Sequence, residues 1–164
     1  MRRGADDMGT EYYLASEADQ LAFGARLAAH LRGLAGVVFL RGELGAGKTT
    51  LVRGLLRALG HHGPVRSPTY TLIEPYALNN ARIYHLDLYR LGDPEELEYL
   101  GLRDLLDGEA LLLVEWPERG VGILPPPDLE VEIIHEPPGR RVVLRPSPAL
   151  AHLSRIEPLG ADGD

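Results

Sequence analysis

The chain has no cysteine among its 164 residues, and it has one lysine, one tryptophan and two phenylalanines. Without cysteine there can be no disulfide, no thiolate metal site and no cysteine nucleophile, which fits a reducing compartment, and a cytoplasmic location is expected. No apolar run approaches the roughly 20 residues that a membrane-spanning helix needs. Met1-Arg2-Arg3 leads into Gly4-Ala5-Asp6-Asp7 and not into an apolar stretch, so neither a secretory leader nor a membrane association is expected. Positive charge is also scarce. A net charge of −7 works against strong independent binding to nucleic acid, which depends on clustered cations and counterion release. Only Arg140, Arg141 and Arg145 look clustered, and they read as the solvated strands of an exposed hairpin. With 45% hydrophobic residues, the length suits one globular domain and leaves no room for a second catalytic one.

The single lysine is where it would be needed most. Lys48 closes Gly42-Glu43-Leu44-Gly45-Ala46-Gly47-Lys48-Thr49, a full G-x-x-x-x-G-K-[ST] phosphate-binding loop, and each of the other 16 cationic residues is arginine. A flexible stem with a compact ammonium can curl under a loop to reach β- and γ-phosphate oxygens, which a planar guanidinium does less easily. Val37-Val38-Phe39-Leu40 reads as a buried strand entering the turn. Leu51, Val52, Leu55, Leu56 and Leu59 read as the packed face of the helix leaving it. Backbone amides from Glu43 to Thr50 would then cradle phosphate at the helix N-terminus, with Thr49 offering its hydroxyl to Mg²⁺. A glycine turn that spells the motif by chance would not need both flanking elements.

Ser16 and Asp19 form a helix start before Leu21, Phe23, Leu27 and Leu31. Thr69 to Tyr76 and Arg82 to Arg90 read as strands of an antiparallel hairpin joined across Asn79-Asn80, and Asp93-Pro94 opens a short helix through Leu97 and Leu100. Ala110 to Val114 is a buried strand. Leu129, Val131 and Ile133 pair with Val142-Val143-Leu144 across Pro137-Pro138-Gly139. The sum is an α/β fold: a single P-loop NTPase domain over 10–156, with a mixed parallel and antiparallel sheet flanked by helices. Loose tails are expected over 1–9 and, acidic in character, over 157–164.

Three further segments carry chemistry. Ser67-Pro68-Thr69-Tyr70 sits in a stretch holding two of the five threonines, and a hydroxyl there could close over a γ-phosphate as a switch; the alternative is a plain Ser-Pro turn. In Ile83-Tyr84-His85-Leu86-Asp87-Leu88-Tyr89-Arg90, strand alternation places His85, Asp87 and Tyr89 on one face. Asp87 could orient water or hold the metal shell, or else pair with Arg82 or Arg90 at a sheet edge. His85 reads as a hydrogen-bonding neighbour, and His61-His62 as a solvated loop. Leu111-Leu112-Leu113-Val114-Glu115 is an apolar strand ending in a carboxylate, the Walker B arrangement that holds Mg²⁺ beside a P-loop, so Glu115 joins Thr49 as a metal-holding candidate. Trp116 either packs near the nucleotide or fills the core. Guanine-reading proteins place an Asn-Lys-x-Asp element after the P-loop, and no lysine remains to supply one. A small-molecule kinase would add an arginine-bearing lid over the phosphates, for which the hairpin and proline linkers show no insertion.

Gly42 to Thr50, Ser67-Pro68-Thr69-Tyr70, His85-Leu86-Asp87-Leu88-Tyr89-Arg90 and Glu115-Trp116-Pro117-Glu118, in this order and spacing, resemble the bacterial TsaE (YjeE) family of P-loop ATPases from about Thr10 to Leu144. The resemblance implies ATP and Mg²⁺ as cofactors and a role in making N6-threonylcarbamoyladenosine at tRNA position 37. It also implies docking on the TsaD and TsaB proteins, with tRNA met only through that complex. By the same resemblance Lys48, Asp87 and Glu115 would be catalytic, Thr49 and Glu115 would hold the metal, and Ser67 to Tyr70 would form the switch. An ATP-binding interaction switch, in which hydrolysis only resets docking, would use the same residues. A small-molecule kinase is the remaining alternative.

Overall fold

The computed structural model describes residues 9–43, 45–65, 72–78 and 81–155. Seven strands form one sheet: β1 (Thr10–Leu14), β2 (Gly36–Arg41), β3 (Ile73–Leu78), β4 (Ala81–Asp87), β5 (Ala110–Glu115), β6 (Leu129–Glu136) and β7 (Gly139–Pro146). Their spatial order is β1-β7-β6-β2-β5-β4-β3. β2 pairs in parallel with β5 and β6, and β4 with β5, while β1–β7, β6–β7 and β3–β4 are antiparallel. The mixed sheet read from the sequence is therefore present.

Two cores cover the two faces. Val38 and Leu40 point with Leu111, Leu113, Ile83, Val131 and Val142 toward helices α1 (Glu17–Leu31) and α2 (Lys48–Ala58). Val37 and Phe39 point with Leu112, Val114 and Leu86 the other way, onto the short helices α3 (Glu96–Tyr99) and α4 (Leu102–Leu105). Every residue of β5 is buried, which is why it reads as an unbroken apolar run and not as an alternation. No helix of the described residues is long and apolar enough to cross a membrane.

Helix α1 starts where the capping residues put it: Ser16 Oγ accepts from Asp19 N at 3.2 Å, and Asp19 Oδ2 accepts from Ala15 N at 3.1 Å. Its contact with α2 depends on two missing side chains. A Cβ at Gly24 would run into Leu51 O and come within 2.8 Å of Leu55 N, and one at Gly54 would run into Leu21 O. Backbone cannot swing aside as a side chain can. Gly54→Ala is therefore expected to destabilise the fold by about 1–3 kcal/mol despite alanine's better helix propensity, measurable by denaturant unfolding.

Two expected elements shift. The helix opened by Asp93-Pro94 becomes α-helical only at Glu96, because the first turn uses i to i+3 bonds: Glu96 N to Asp93 O at 2.9 Å and Leu97 N to Pro94 O at 3.0 Å. The strand expected to run to Arg90 ends at Asp87, whose Oδ1 accepts from Tyr89 N at 3.1 Å and turns the chain. The start of the strand expected from Thr69, the Asn79-Asn80 joint and almost all of both expected tails lie outside the described residues. β3 is described from Ile73.

Candidate functional site

Strand β2 delivers the P-loop and α2 carries it away, with the loop at the C-terminal ends of the parallel strands β2, β5 and β4. Gly47, the residue before α2, has φ 111°, and a Cβ there would collide with the Gln20 side chain from α1. The Gln20 side chain could move aside, so it is the backbone angle that calls for glycine. Alternation brings the acids to the same end: Asp87 and Glu115 are register partners on β4 and β5, on the face shared with Ile83, Leu111 and Leu113.

These elements enclose a cleft of about 650 Å³. Gly45, Gly47, Lys48, Thr49 and Thr50 line it from the loop and the start of α2, Asp87 and Glu115 from the ends of β4 and β5, and Trp116 from the residue that follows β5. Glu43 precedes the turn and accepts from Ala46 N at 3.0 Å, and the Ala46 side chain is buried in the main core. Leu44 and the segment Ser67, Pro68, Thr69 and Tyr70 lie outside the described residues. Leu72, which follows that segment, lines the cleft with φ 65°. Trp116, at φ 57°, is the other non-glycine residue with positive φ among those described, so both left-handed residues border the site.

Lys48 is 5% exposed, and its ammonium donates to Gly42 O and lies 4.1 Å from the Trp116 ring centroid. Tyr89 also packs on Trp116, ring to ring at 5.0 Å. Trp116 thus borders the cleft while packing, partly buried, against the core that contains Leu112 and Val114. Burial lowers the Lys48 pKa from its ordinary 10.5, and Glu115, Asp87 and Glu118 pull it back upward.

Glu115 is buried at 2% exposure, and its Oε2 lies 2.7 Å from His85 Nε2. His85 is fully buried, and among the described residues its Nδ1 has no hydrogen-bond partner, so the Glu115 bond is the one that orients the ring there. Asp87 is half-buried. Burial raises its pKa, Glu115 raises it further, and the Tyr89 N–H bond opposes the shift ahead of His85 and Lys48. Edge pairing of Asp87 with Arg82 does not occur: β4 lies between β3 and β5, and Arg82 pairs with Asp107 at 3.0 Å and Glu109 at 2.8 Å.

The Asp87 shift has a measurable consequence. A carboxyl whose folded pKa exceeds its unfolded value adds stability below the unfolded value, near 3.9, and loses it as pH rises through the folded value. Without nucleotide, Asp87→Asn is therefore expected to melt at a higher temperature than the parent at neutral pH. The difference should close as pH falls below the ordinary aspartate range.

Oxygen donors dominate the cleft: the Thr49 hydroxyl and the Asp87 and Glu115 carboxylates. Among the described residues no group of three or more His, Cys, Asp or Glu forms a self-contained metal cage. One or two carboxylates with a hydroxyl fit Mg²⁺ that takes its remaining ligands from water and phosphate.

The Arg140, Arg141 and Arg145 trio is not uniformly a solvated hairpin. Arg141 pairs with Glu136 and Glu11, and Arg145 with Glu132. Arg140 instead lines the cleft and donates to P-loop carbonyls, at 2.7 Å to Ala46 O and 3.3 Å to Gly45 O. It shares the strand phase of core residues Val142 and Leu144, but Val143 between them is apolar too, so alternation alone does not mark it. Glu17, Gln20 and Arg90 also line the cleft, and helix position gave the first two no mark. His61, read as solvated, packs edge-on against Tyr76 at 4.7 Å.

Comparison with known proteins identifies the family. Residues 14–143 match the family model "Threonylcarbamoyl adenosine biosynthesis protein TsaE". The tRNA threonylcarbamoyladenosine biosynthesis protein TsaE of Haemophilus influenzae is 48% identical over 136 residues, covering 80% of this chain and 86% of that protein. Its counterpart from Aquifex aeolicus is 42% identical over 130 residues, covering 77% and 89%. The crystal structure of Bacillus subtilis YdiB superposes with a TM-score of 0.71 at 28% identity, over 87% of this chain and 89% of that one. With a family model matched across most of its length and a P-loop cleft built from the motif residues, the chain belongs to the TsaE family.

Proposed function

We propose that this chain is a Mg²⁺-dependent ATPase that supports N6-threonylcarbamoyladenosine formation at tRNA position 37 by docking on a TsaB–TsaD complex. The observation that carries the reading is the convergence of Lys48, Thr49, Asp87 and Glu115 on one cleft, in a chain of this family. Lys48 would offer its ammonium to the β- and γ-phosphate oxygens, and the loop amides would hold the triphosphate tail. Thr49 and Glu115 would hold Mg²⁺, which when bound neutralises charge on the phosphate oxygens. Asp87, made more basic by burial, would orient the attacking water and receive its proton. Phosphoryl transfer needs positioning more than covalent chemistry, so an incomplete site would turn over slowly and a docked partner would complete it.

Steady-state phosphate release from ATP and Mg²⁺, with and without purified TsaB and TsaD, tests this reading. A clear acceleration by the partners is expected, and equal rates would count against docking as the completing step. Phosphate appearing on a small acceptor would return the kinase alternative. Retained tRNA modification by a variant that binds but does not hydrolyse ATP would favour the interaction switch.

A further inference from the structure

Given the phosphate site proposed above, on which this rests, we infer that Arg140 is a positioning residue of the P-loop: reaching from β7, its guanidinium fixes and polarises the Ala46–Gly47 peptide from the side away from phosphate. Arg140 Nε donates to Ala46 O at 2.7 Å and one terminal nitrogen to Gly45 O at 3.3 Å, while the other is tied to Gly139 O at 3.0 Å. The side chain is half-buried, and it joins two elements more than 90 residues apart in sequence.

The chemistry follows from the planar trans peptide, in which C=O and N–H point in opposite directions. A cation bonded to Ala46 O fixes the plane of the next amide and draws electron density from it, so the Gly47 N–H becomes a stronger donor toward the opposite side. The preceding amide is already used within the turn, Ala46 N to Glu43 O at 3.0 Å, so the effect falls on Gly47. Gln20 packs against Gly47 from α1, leaving the loop braced from two directions. The planar fork matters: Arg140 spans two successive carbonyls, which a single ammonium cannot do in the same geometry. Arg140 thus supplies positive potential to an anion site without occupying it.

The test compares the parent chain with R140M, which keeps an apolar stem, and R140K, which keeps charge without the fork. Calorimetric titration with ATP and with ADP is expected to show both nucleotides bound about tenfold more weakly by R140M, with R140K in between. In nucleotide-free protein the Gly47 amide resonance is expected to move upfield in R140M, as a weakened bond to Ala46 O requires; a brace that only stabilises the fold would lower the melting temperature without this local change. If R140M does not fold, R140K carries the comparison. Affinities within twofold of the parent in the folded variants, or an unmoved Gly47 amide, would overturn the role of Arg140 alone. Failure of the parent itself to bind ATP at millimolar concentration would instead remove the phosphate site, and this role with it.

Discussion

Lys48→Met is expected to reduce ATP hydrolysis by at least about 10²-fold and to weaken ATP binding by about 10- to 100-fold, while the chain stays folded. Lys48 is buried, with its ammonium between Gly42 O and the Trp116 ring. Its environment is costly in the absence of an anion, since burial alone pushes the amine toward its neutral form and Glu115 and Asp87 only partly offset this. Arriving phosphate would supply the missing counter-charge, so interaction energy is gained where the free site is least comfortable. Methionine preserves the stem volume, which separates loss of charge from loss of packing. Lys48→Arg should not rescue, because a guanidinium fork does not fit a space shaped for an ammonium beneath the loop. Trp116 offers a direct readout: as the chain's only tryptophan and a neighbour of Lys48, its fluorescence should respond to ATP in the parent and respond in the variant only at correspondingly higher ATP. Parent-like turnover in Lys48→Met would show that the loop is not a phosphate site.

The P-loop, its strand and its helix were legible because three independent signals coincide there: the glycine spacing, the apolar run before it and the 3.6-residue periodicity after it. The two hairpins were legible from alternation broken by turn residues. What escaped were features set by neighbours distant in sequence. Arg140 precedes Val142-Val143-Leu144, a run apolar at every position, so alternation could not say which face the arginine takes. Its P-loop contact depends on β7 lying beside β1 and β6. Glu17 and Gln20 reach the cleft because α1 packs against α2 through Gly24 and Gly54, a closeness no local pattern announces. His85 was read as a hydrogen-bonding neighbour, yet its partner Glu115 is 30 residues away and is set by the parallel pairing of β4 and β5. Strand ends were harder than strand existence, since Asp87 closes β4 with a side-chain bond where propensity alone would have continued.

Glu115→Gln is expected to lower hydrolysis by about 10²- to 10³-fold while leaving ATP affinity in the presence of a chelator within a few-fold of the parent. Glutamine is nearly isosteric, and its amide oxygen can accept from His85 Nε2 as Glu115 Oε2 does at 2.7 Å, so the buried pair keeps its geometry. Alanine would be the poorer choice. With His85 Nδ1 unpartnered among the described residues, removing the Glu115 acceptor would leave the other ring nitrogen without its bond too and cost about 1–3 kcal/mol, mixing unfolding with chemistry. What glutamine removes is the charge. Glu115 raises the pKa of Lys48 and also that of Asp87, so its neutralisation should lower both, leaving a less firmly protonated amine and a weaker base in the same cleft. It should also abolish the gain in ATP affinity that Mg²⁺ gives the parent, because a neutral amide is a poor Mg²⁺ ligand beside the Thr49 hydroxyl. Calorimetric ATP titrations with Mg²⁺ and with chelator, run beside phosphate-release assays, separate these effects. A variant that hydrolyses ATP at the parent's rate would take Glu115 out of the mechanism and leave Asp87 as the acid on which turnover depends.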